Sequence, residues 1–325
     1  MSKVNGGQAR ELFQRNASNP ILTANDWPYP VNAVFNPAAA QLEGTTVLLA
    51  RVEDLTGVSH LGVARSSNGI DGWSIDPEPL LAPAGGVESE QWGFEDPRVV
   101  FVPELERWVI TCTVYGPGGP AVFLATTEDF SSVERHGIVQ LPEDKNAALL
   151  PQRVDGKWIL FHRPMTGFGA ARPHGAIALS RSADLVDWST PELVLSPRKG
   201  AWWDASRIGI GPPLLRTDHG WLLIYHGVKD TVSGSVYRVG LALLDLEEPT
   251  RLLHRLPHWI FGPLTAYERE GDVPNVVFPC GFVHDEASDE IRLYYGAADT
   301  SICVATARLG DLLEAVLSGP AESSL

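Results

Sequence analysis

The chain has 325 residues, a formal net charge of −15 and a hydrophobic content of 44%. A charge of this sign repels nucleic-acid phosphates and anionic lipids, and no run of Lys or Arg offsets it, so neither nucleic acid nor a membrane is expected as a partner. The sequence contains no run of about 18 apolar residues and no apolar signal core near its N-terminus, which predicts a cytoplasmic protein.

The composition favours strands and tight turns over helices. The 31 glycines, 25 prolines and 10 tryptophans are typical of turns and of half-buried strand residues. Cys112, Cys280 and Cys303 are odd in number and too far apart for a CxxC motif, so we expect buried apolar residues instead of disulfides. The nine histidines include no HExxH pair, and no metal or other cofactor is expected.

One pattern occurs five times along the chain. Each unit has a polar or proline-containing opening segment, an apolar strand, a turn, a second apolar strand and a third run with small residues. In the third unit, Asp155-Gly156 predicts a hairpin turn. Successive units begin roughly 50 to 65 residues apart, as in repeat proteins with long connections. The opening segments are Phe35-Asn36-Pro37, Asp96-Pro97-Arg98, Asn146-Ala147-Ala148, Ile210-Gly211-Pro212 and Val277-Phe278-Pro279.

Five such units predict an all-β five-bladed β-propeller, in which small antiparallel sheets surround a central funnel. The opening segments of all blades converge on the funnel, so we expect residues that are distant in sequence to meet there. A β-sandwich with the same number of strands is the competing arrangement. The residues expected at the funnel are Asn36, Asp96, Lys145, Arg207 and Asp299.

The propeller is expected to span residues 32–308, between an N-terminal extension (residues 1–31) and a C-terminal helix and tail (residues 309–325). Helix signals are sparse along the chain. The segment from Gly310 to Leu317 predicts a short C-terminal helix, and the segment from Ala9 to Asn16 predicts a second one near the N-terminus.

The turn Glu95-Asp96-Pro97-Arg98 places two carboxylates and a guanidinium just ahead of an apolar strand. Because a proline restricts the residue before it, we expect Pro97 to hold Asp96 in an extended conformation at the start of the strand. The carboxylate would then be aimed, as a catalytic acid must be. The alternative is a surface turn with an exposed salt bridge, which is common for these residue types.

Taken together, the five units resemble glycoside hydrolase family 130, the inverting β-mannoside phosphorylases and related β-mannosidases on a five-bladed propeller. The resemblance extends from about Asn36 to Arg308. It is carried by Phe94-Glu95-Asp96-Pro97-Arg98, His162-Arg163-Pro164, Ile208-Gly209, Gly220-Trp221-Leu222-Leu223-Ile224-Tyr225-His226-Gly227, Leu243-Leu244-Asp245, Asn275-Val276-Val277-Phe278-Pro279-Cys280-Gly281 and Tyr294-Tyr295-Gly296-Ala297-Ala298-Asp299.

This resemblance implies a role for individual residues. Asp96 would be the general acid, acting through a sugar hydroxyl, and inorganic phosphate would be the co-substrate. Two cations depart from the pattern of the phosphorylases, where Lys145 is usually Arg and Arg207 is usually Lys; both exchanges keep the charge and alter the geometry of phosphate binding. The mannosyl ring would be held by Asn36, Arg51 and Asp299, and phosphate by Lys145, Arg163 and Arg207, with help from His226 and Tyr237.

The chemistry of the two family activities differs in one requirement. An inverting phosphorylase needs one carboxylic acid and a cationic cradle for phosphate, whereas an inverting hydrolase needs a second carboxylate that activates water. The cations named above fit the first scheme. Asp204 and Glu268 are the alternative bases for the second scheme, so an inverting β-mannosidase stays open as the alternative function.

Other readings of the same residues are weaker. Asn36 stands where related five-bladed furanosidases carry an Asp nucleophile or base, and an amide cannot do that work. A sugar-binding propeller without activity would have no use for a positioned acid beside cations. Trp202-Trp203 fits either a core position or a sugar platform, and His226 fits a structural hydrogen bond as well as a ligand contact. The expected partner is a β-mannoside or oligosaccharide, and a homo-oligomer is compatible with the sequence.

Overall fold

The computed structural model describes residues 11–165 and 175–320, and nearly all of its regular structure is β. The chain enters with a two-residue strand, β1 (Gln14–Arg15), and a 3-10 turn at Ala24–Asp26. Five blades of antiparallel strands follow and form a β-propeller. Between them lie a second 3-10 turn, Glu88–Glu90, and a one-turn helix, α1 (Ala266–Arg269); helix α2 (Leu309–Ser318) ends the described chain.

The strands of the blades follow each other in chain order. Blade 1 has β2 (Ala33–Leu42), β3 (Thr45–Glu53), β4 (Ser59–Ser66) and β5 (Ser74–Ile75); blade 2 has β6 (Gly93–Val102), β7 (Arg107–Gly116), β8 (Gly119–Thr127) and β9 (Glu134–Gln140). Blade 3 has β10 (Asp144–Leu149), β11 (Trp158–Pro164), β12 (Ile177–Ser182) and β13 (Glu192–Leu195). Blade 4 has β14 (Arg207–Ile210), β15 (Leu215–Thr217), β16 (Gly220–Thr231), β17 (Gly234–Leu244) and β18 (Leu252–Arg255). Blade 5 has β19 (Val277–Asp285), β20 (Glu290–Ala297) and β21 (Ser301–Arg308).

The five-bladed propeller predicted from the repeats is confirmed. The hairpin between β10 and β11 is also as expected: Asp155 and Gly156 both have positive φ, 49° and 69°, as a type I′ turn requires. The three cysteines are free and buried, as predicted. Blades 1, 2 and 3 each have one strand more than the sequence pattern indicated, and blade 4 has two more, because β14 and β15 both pair with β16.

The fourth strand of blade 5 is β1, from the opposite end of the chain. Gln14 pairs with Thr306 and Arg15 with Ala305, so the N-terminal segment completes the last blade and closes the ring. The prediction of a helix from Ala9 to Asn16 is therefore wrong for the part that the structure describes, which begins at residue 11. Backbone pairing with β21 outweighs the helix propensity of this short segment. The C-terminal helix is confirmed as α2.

Apolar layers fill the space between neighbouring blades. Successive side chains of a strand point to opposite faces of the sheet, so each blade contributes to two layers. Phe161 of blade 3 packs with Tyr225 of blade 4 in one layer, and Ile224 of blade 4 packs with Leu293 of blade 5 in the next. Helix α2 inserts Leu312 into the second layer. Of the helices in the described ranges, none is long and apolar enough to cross a membrane.

An ion pair fastens β1 to the loop before blade 5. Arg15 Nε donates to Glu268 Oε1 at 2.7 Å, and the Glu268 side chain is fully buried. Glu268 also accepts hydrogen bonds from the backbone N–H groups of Leu264 and Thr265 and from the Tyr295 hydroxyl. The carboxylate therefore connects the N-terminal strand, α1 and β20.

We predict that Arg15→Ala lowers the free energy of unfolding by about 3–5 kcal/mol, because it leaves the buried Glu268 carboxylate without its cation. Urea denaturation followed by tryptophan fluorescence measures the change. Arg308→Ala is the matched control, since the Arg308 side chain is 70% exposed beside Asp289 and its loss should change the free energy by less than about 1 kcal/mol. Equal effects of the two substitutions would show that β1 is not fastened in this way.

Candidate active site

A cavity of about 180 Å³ lies where the innermost strands of the blades converge. It brings together eight of the residues that the sequence indicated: Asn36, Arg51, Asp96, Lys145, Arg163, His226, Tyr237 and Asp299. The rest of its wall consists of Glu95, Asn146, Val273, Val276 and Phe278. The wall thus combines carboxylates, cations, amides and a few apolar side chains.

The same backbone device aims one side chain into the cavity from each of the first three blades. In β2, β6 and β10 the register of pairing shifts at a bulge, and the bulge residues Asn36, Asp96 and Asn146 have φ of 46°, 49° and 55°. Asn and Asp tolerate this left-handed conformation better than other non-glycine residues. Pro37 and Pro97 follow directly, and a bulge accommodates proline because no ladder hydrogen bond is needed there.

The expectation that Pro97 holds Asp96 in an extended conformation is therefore wrong. Proline disfavours the right-handed helical region for the residue before it, and Asp96 instead adopts the left-handed region. The bulge explains why: it turns the side chain of Asp96 out of the alternation of the strand and toward the funnel. The aim that the sequence suggested is achieved by a different geometry.

Arg51 organises the carboxylates at one side of the cavity. Its Nη1 lies 3.3 Å from Asp96 Oδ1 and its Nη2 lies 3.1 Å from Glu95 Oε1. Asn36 Nδ2 donates to the same Asp96 oxygen at 2.8 Å. Asp299, which has φ of 53°, completes the group of carboxylates.

The charges of this group shift the proton affinities of its members in opposite directions. Burial alone would raise the pKa of Asp96, but the guanidinium groups of Arg51 and Arg98 and the Asn36 hydrogen bond outweigh burial and hold the pKa below its usual value. Burial and the nearby charge of Asp96 raise the pKa of Asp299 to about 7. Burial also raises the pKa of Glu95, against the opposing effect of Arg51. These shifts favour the ionised form of Asp96 at neutral pH and the protonated form of Asp299 below about pH 7.

Lys145 and Arg163 form a cationic region in the same cavity. They are cross-strand partners in β10 and β11, and Arg163 occupies in blade 3 the position that Arg51 occupies in blade 1. Arg163 is buried, and within the described residues its side-chain contact is Met165 Sδ, 3.7 Å from Nη2, with no oxygen partner. Burial lowers the pKa of Arg163 to about 10. Burial and the charge of Arg163 lower the pKa of Lys145. Such a region is stabilised by an anion.

His226 lies beside these cations in its neutral form. Burial, and then the charges of Arg163 and Arg98, lower its pKa well below the usual value. Neither ring nitrogen has a hydrogen-bond partner among the described residues. Gly209 makes room for the ring, because a Cβ at that position would collide with His226 and with the Asn146 amide. The ring and the amide are thus free to contact a ligand.

A buried chain of hydrogen bonds supports the cationic region from below. His162 Nδ1 lies 2.6 Å from Asp144 Oδ2, and His162 Nε2 lies 3.0 Å from Ser180 Oγ. Asp144 precedes Lys145 in the chain and His162 precedes Arg163. The side chains of Asp144, His162 and Ser180 are all buried. This hydrogen-bonded group therefore positions the strands that carry the two cations and has no access to substrate.

Arg207 is not part of the cavity wall, in contrast to Lys145 and Arg163. Both Asp230 carboxylate oxygens lie 3.1 Å from its Nη1, and its Nη2 donates to the Tyr237 hydroxyl at 2.9 Å. Its charge is close enough to lower the pKa of Arg163. Arg207 therefore acts on the cavity through Tyr237, which does line it.

Asp204 and Glu268, the alternative bases, do not reach the cavity. Asp204 is fully buried and its Oδ2 is bound by Arg198 at 2.7 Å, by Arg255 at 2.8 Å and by the Tyr225 hydroxyl at 3.0 Å. Glu268 is bound by Arg15 and by the backbone of its own turn. A carboxylate enclosed by cations cannot activate water at a sugar elsewhere, so neither residue serves the hydrolytic scheme in this structure.

Two polar residues of the cavity wall, Glu95 and Asn146, were not predicted as site residues from the sequence. A signal for Asn146 was present, because Asn36-Pro37, Asp96-Pro97 and Asn146-Ala147 open successive units in the same way. The prediction placed Lys145, its neighbour in the chain, at the funnel, and both residues line the cavity. Glu95 stood next to Asp96 in the motif, but its contact with Arg51 depends on the bulge, which the motif does not reveal.

Known proteins of similar sequence and structure share this architecture. A family model for glycoside hydrolase family 130, described as beta-1,4-mannooligosaccharide phosphorylase, matches residues 12–317. The beta-1,4-mannooligosaccharide phosphorylase of Ruminococcus albus is 33% identical over 316 residues, which cover 95% of this chain and 92% of that protein. A beta-1,2-mannobiose phosphorylase of Thermoanaerobacter is 40% identical over 254 residues, 76% of each chain.

A solved structure of this kind is the beta-1,2-mannobiose phosphorylase of Listeria innocua in complex with beta-1,2-mannobiose. It superposes with a TM-score of 0.84 at 27% sequence identity, and the match covers 94% of this chain and 99% of the other. The likeness thus includes the whole propeller, and the sequence likeness includes the blades that form the cavity.

We predict that Asp299→Asn makes the free energy of unfolding less dependent on pH between 5 and 8. The pKa of Asp299 in the folded protein, about 7, lies above its unfolded value, so between these values the folded state binds more protons and Asp299 lowers stability as pH rises. The free energy of unfolding of the variant should therefore exceed that of the wild type at pH 8 by on the order of 2–4 kcal/mol, with a smaller difference at pH 5. Urea denaturation at both pH values measures this. The exposed Asp218→Asn is the control, and a difference that does not change with pH would contradict the assignment.

Proposed function

Because the chain belongs to glycoside hydrolase family 130, we propose that it is an inverting glycoside phosphorylase that cleaves β-mannosides with inorganic phosphate and releases mannose 1-phosphate. The observation that carries the proposal is the pair of half-buried Lys145 and buried Arg163 in one cavity with Asp96. Arg163 lacks an oxygen partner among the described residues, and an anion is the ligand that such a pair favours.

In the proposed reaction a phosphate oxygen attacks the anomeric carbon of the mannosyl ring as the glycosidic C–O bond breaks. The leaving oxygen takes a proton that derives from Asp96, and the configuration inverts from β to α. Phosphate brings its own nucleophilic oxygen, so no protein base is needed. Asn36, Arg51 and Asp299 would hold the sugar, and Lys145, Arg163 and His226 would hold the phosphate.

Asp96 must hold a proton when the bond breaks, although its lowered pKa favours the ionised form at neutral pH. A sugar that displaces water from the cavity buries Asp96 further, and burial raises the pKa of a carboxyl group. The neighbouring Asp299 keeps a proton near neutral pH in the free protein. Substrate binding is therefore proposed to move the proton within this group toward Asp96.

The distribution of charge favours phosphorolysis over hydrolysis. The carboxylates that line the cavity, Glu95, Asp96 and Asp299, are grouped with Arg51. The described wall contains no carboxylate besides these three. A base that could activate a water beside Arg163 and His226 is therefore lacking among the described residues. Asp204 and Glu268 are engaged elsewhere.

The linkage and the setting of the reaction belong to the same proposal. The relatives named above act on β-1,4 or β-1,2 linkages according to their names, so both are candidate linkages here. We place the enzyme in the cytoplasm, where inorganic phosphate is available, with phosphate as co-substrate and no further cofactor. Assembly of several copies would be measured by light scattering.

The test of the proposal is incubation with β-1,4-mannobiose and β-1,2-mannobiose, each with and without inorganic phosphate. We expect mannose 1-phosphate and free mannose in equal amounts when phosphate is present, and no cleavage when it is absent. Release of two mannose molecules at the same rate in phosphate-free buffer would instead establish a β-mannosidase.

Asp96→Asn should lower kcat by at least the 10²–10⁴-fold typical of a lost general acid, because the amide keeps the shape and cannot give the proton. Steady-state phosphorolysis of mannobiose measures the loss. A substrate with a good leaving group, which needs little protonation, should partly restore the rate of the variant. Near-normal turnover of mannobiose by Asp96→Asn would rule out this residue as the acid.

Arg163→Ala should raise the KM for phosphate about ten- to a hundredfold, since a hydrogen bond to a charged group contributes about 1.5–3 kcal/mol. The KM for the mannoside should change little. Arg207→Ala should have a smaller effect on the KM for phosphate, because Arg207 acts through Tyr237. Initial rates at varied phosphate concentration measure both, and a larger effect of Arg207→Ala would show that the guanidinium turns into the cavity when phosphate binds.

A further inference from the structure

A second cleft, of about 680 Å³, lies on the other face of the β16–β17 hairpin from the catalytic cavity. Side chains alternate along a strand: Tyr237 lines the catalytic cavity, while its neighbours Val236 and Arg238 line the cleft. Lys229 of β16 and Trp259, after β18, add to the wall. One hairpin thus separates two cavities, and the second has no role in the proposed reaction.

Tryptophan faces form much of this cleft. Trp203 is buried and anchored, since its Nε1 donates to the Pro257 carbonyl at 3.0 Å. Trp202 is 44% exposed, with the Arg198 guanidinium 4.9 Å from its ring centroid. Trp259 is half-buried beneath Arg238, at 4.5 Å. Rigid aromatic faces at a surface are suited to the C–H face of a sugar ring.

The charged groups of the cleft all have one sign. Among the described residues of its wall, the charged ones are Lys229 and Arg238 and none is a carboxylate, although the chain as a whole carries a net charge of −15. Lys229 Nζ donates to the Ala201 carbonyl at 3.0 Å. A basic cleft on an acidic protein attracts anions to that place.

Arg238 resembles Arg163 in having no oxygen partner among the described residues, but Arg238 is half-buried whereas Arg163 is buried. Its guanidinium lies over the Trp259 ring, and within residues 11–165 and 175–320 it has no hydrogen bond and no ion pair. Other buried or half-buried arginines of this part of the chain, such as Arg15, Arg98 and Arg255, bind carboxylate or carbonyl oxygens. Burial without a nearby anion lowers the pKa of Arg238.

We propose that this cleft is a second ligand site, for a sugar phosphate, with the sugar ring on the indole faces of Trp202 and Trp259 and the phosphate on Arg238 and Lys229. A neutral oligosaccharide would leave the cations without a partner, and a bare anion would leave the tryptophan faces uncovered. A ligand that has both a sugar ring and a phosphate matches both sets of residues. The class of ligand follows from this combination. Only the choice of mannose 1-phosphate as the probe rests on the proposed function.

Isothermal titration calorimetry with α-mannose 1-phosphate tests the site without any turnover. We expect two binding events per wild-type chain, of which one is lost in Arg163→Ala and the other in Arg238→Gln. Loss of the hydrogen bonds of Arg238 should weaken its event about ten- to a hundredfold. The exposed Trp202→Ala is a second variant that leaves the core intact, and the exposed Arg216→Ala of blade 4 is the control that should bind as the wild type does.

The other outcomes overturn the proposal. Binding that depends on Arg163 and not on Arg238 or Trp202 leaves the catalytic cavity as the sole site. If inorganic phosphate binds at the Arg238-dependent site as strongly as mannose 1-phosphate, the cleft is an anion site. If β-mannobiose does so, the cleft is a site for neutral sugars. Self-association that Trp202→Ala abolishes, without ligand binding, would mean an interface between copies. If instead the proposed function fails, the event that depends on Arg238 persists while phosphorolysis is absent.

Discussion

The buried guanidinium of Arg98 ties three blades together at the axis of the propeller. From blade 2 it donates to the carbonyl of Asp96 at 2.6 Å, and across the funnel it donates to the carbonyls of Ile210 and Gly211 in blade 4 at 3.1 and 2.9 Å. Its guanidinium also lies 5.6 Å from the ring centroid of Phe278 in blade 5. These contacts give the three carbonyl groups a buried donor, and they fix the bulge that carries the acid.

Arg98 determines the electrostatics of the catalytic cavity as well as its shape. Arg98 and Arg51 together keep Asp96 ionised despite its burial, and their charge allows three carboxylates to share a small space. The cationic region around Arg163 lies in the same cavity, and the carboxylates among the described wall residues are those grouped with Arg51. One cavity thus combines carboxylates grouped around Arg51 with a cationic region around Arg163, an arrangement that suits a reaction in which a proton is transferred and an anion attacks.

Much of the fold could be predicted from the sequence, because inner strands repeat a strong apolar pattern. The outermost strands could not. β9 is rich in charged and exposed residues, and β1 and β5 have two residues each, so their pairing is set by the neighbouring strand and leaves no periodicity to detect. The all-β class and the five units needed only local patterns, whereas closure by β1 is a contact between the two ends of the chain.

Site residues could be predicted where a charged residue stands in an otherwise apolar strand. The prediction was poorer where an ion-pair partner from another segment determines whether that charge faces the cavity. Arg163 at the end of an apolar strand had to meet an anion or a carboxylate, and the sequence indicated this. Arg207, Asp204 and Glu268 gave the same kind of signal, but their partners, Asp230, Arg255 and Arg15, come from other segments. No local pattern tells whether a buried charge is neutralised by its own protein.

The position of β1 has a consequence for the order in which the molecule is completed. The ribosome makes β1 before the other strands of the propeller, whereas its partner β21 follows all of them. Until β21 is made, β1 has no sheet to join. The ring therefore closes by pairing the earliest strand with the latest one, and the cavity at its axis reaches its final shape only after β21 has been made.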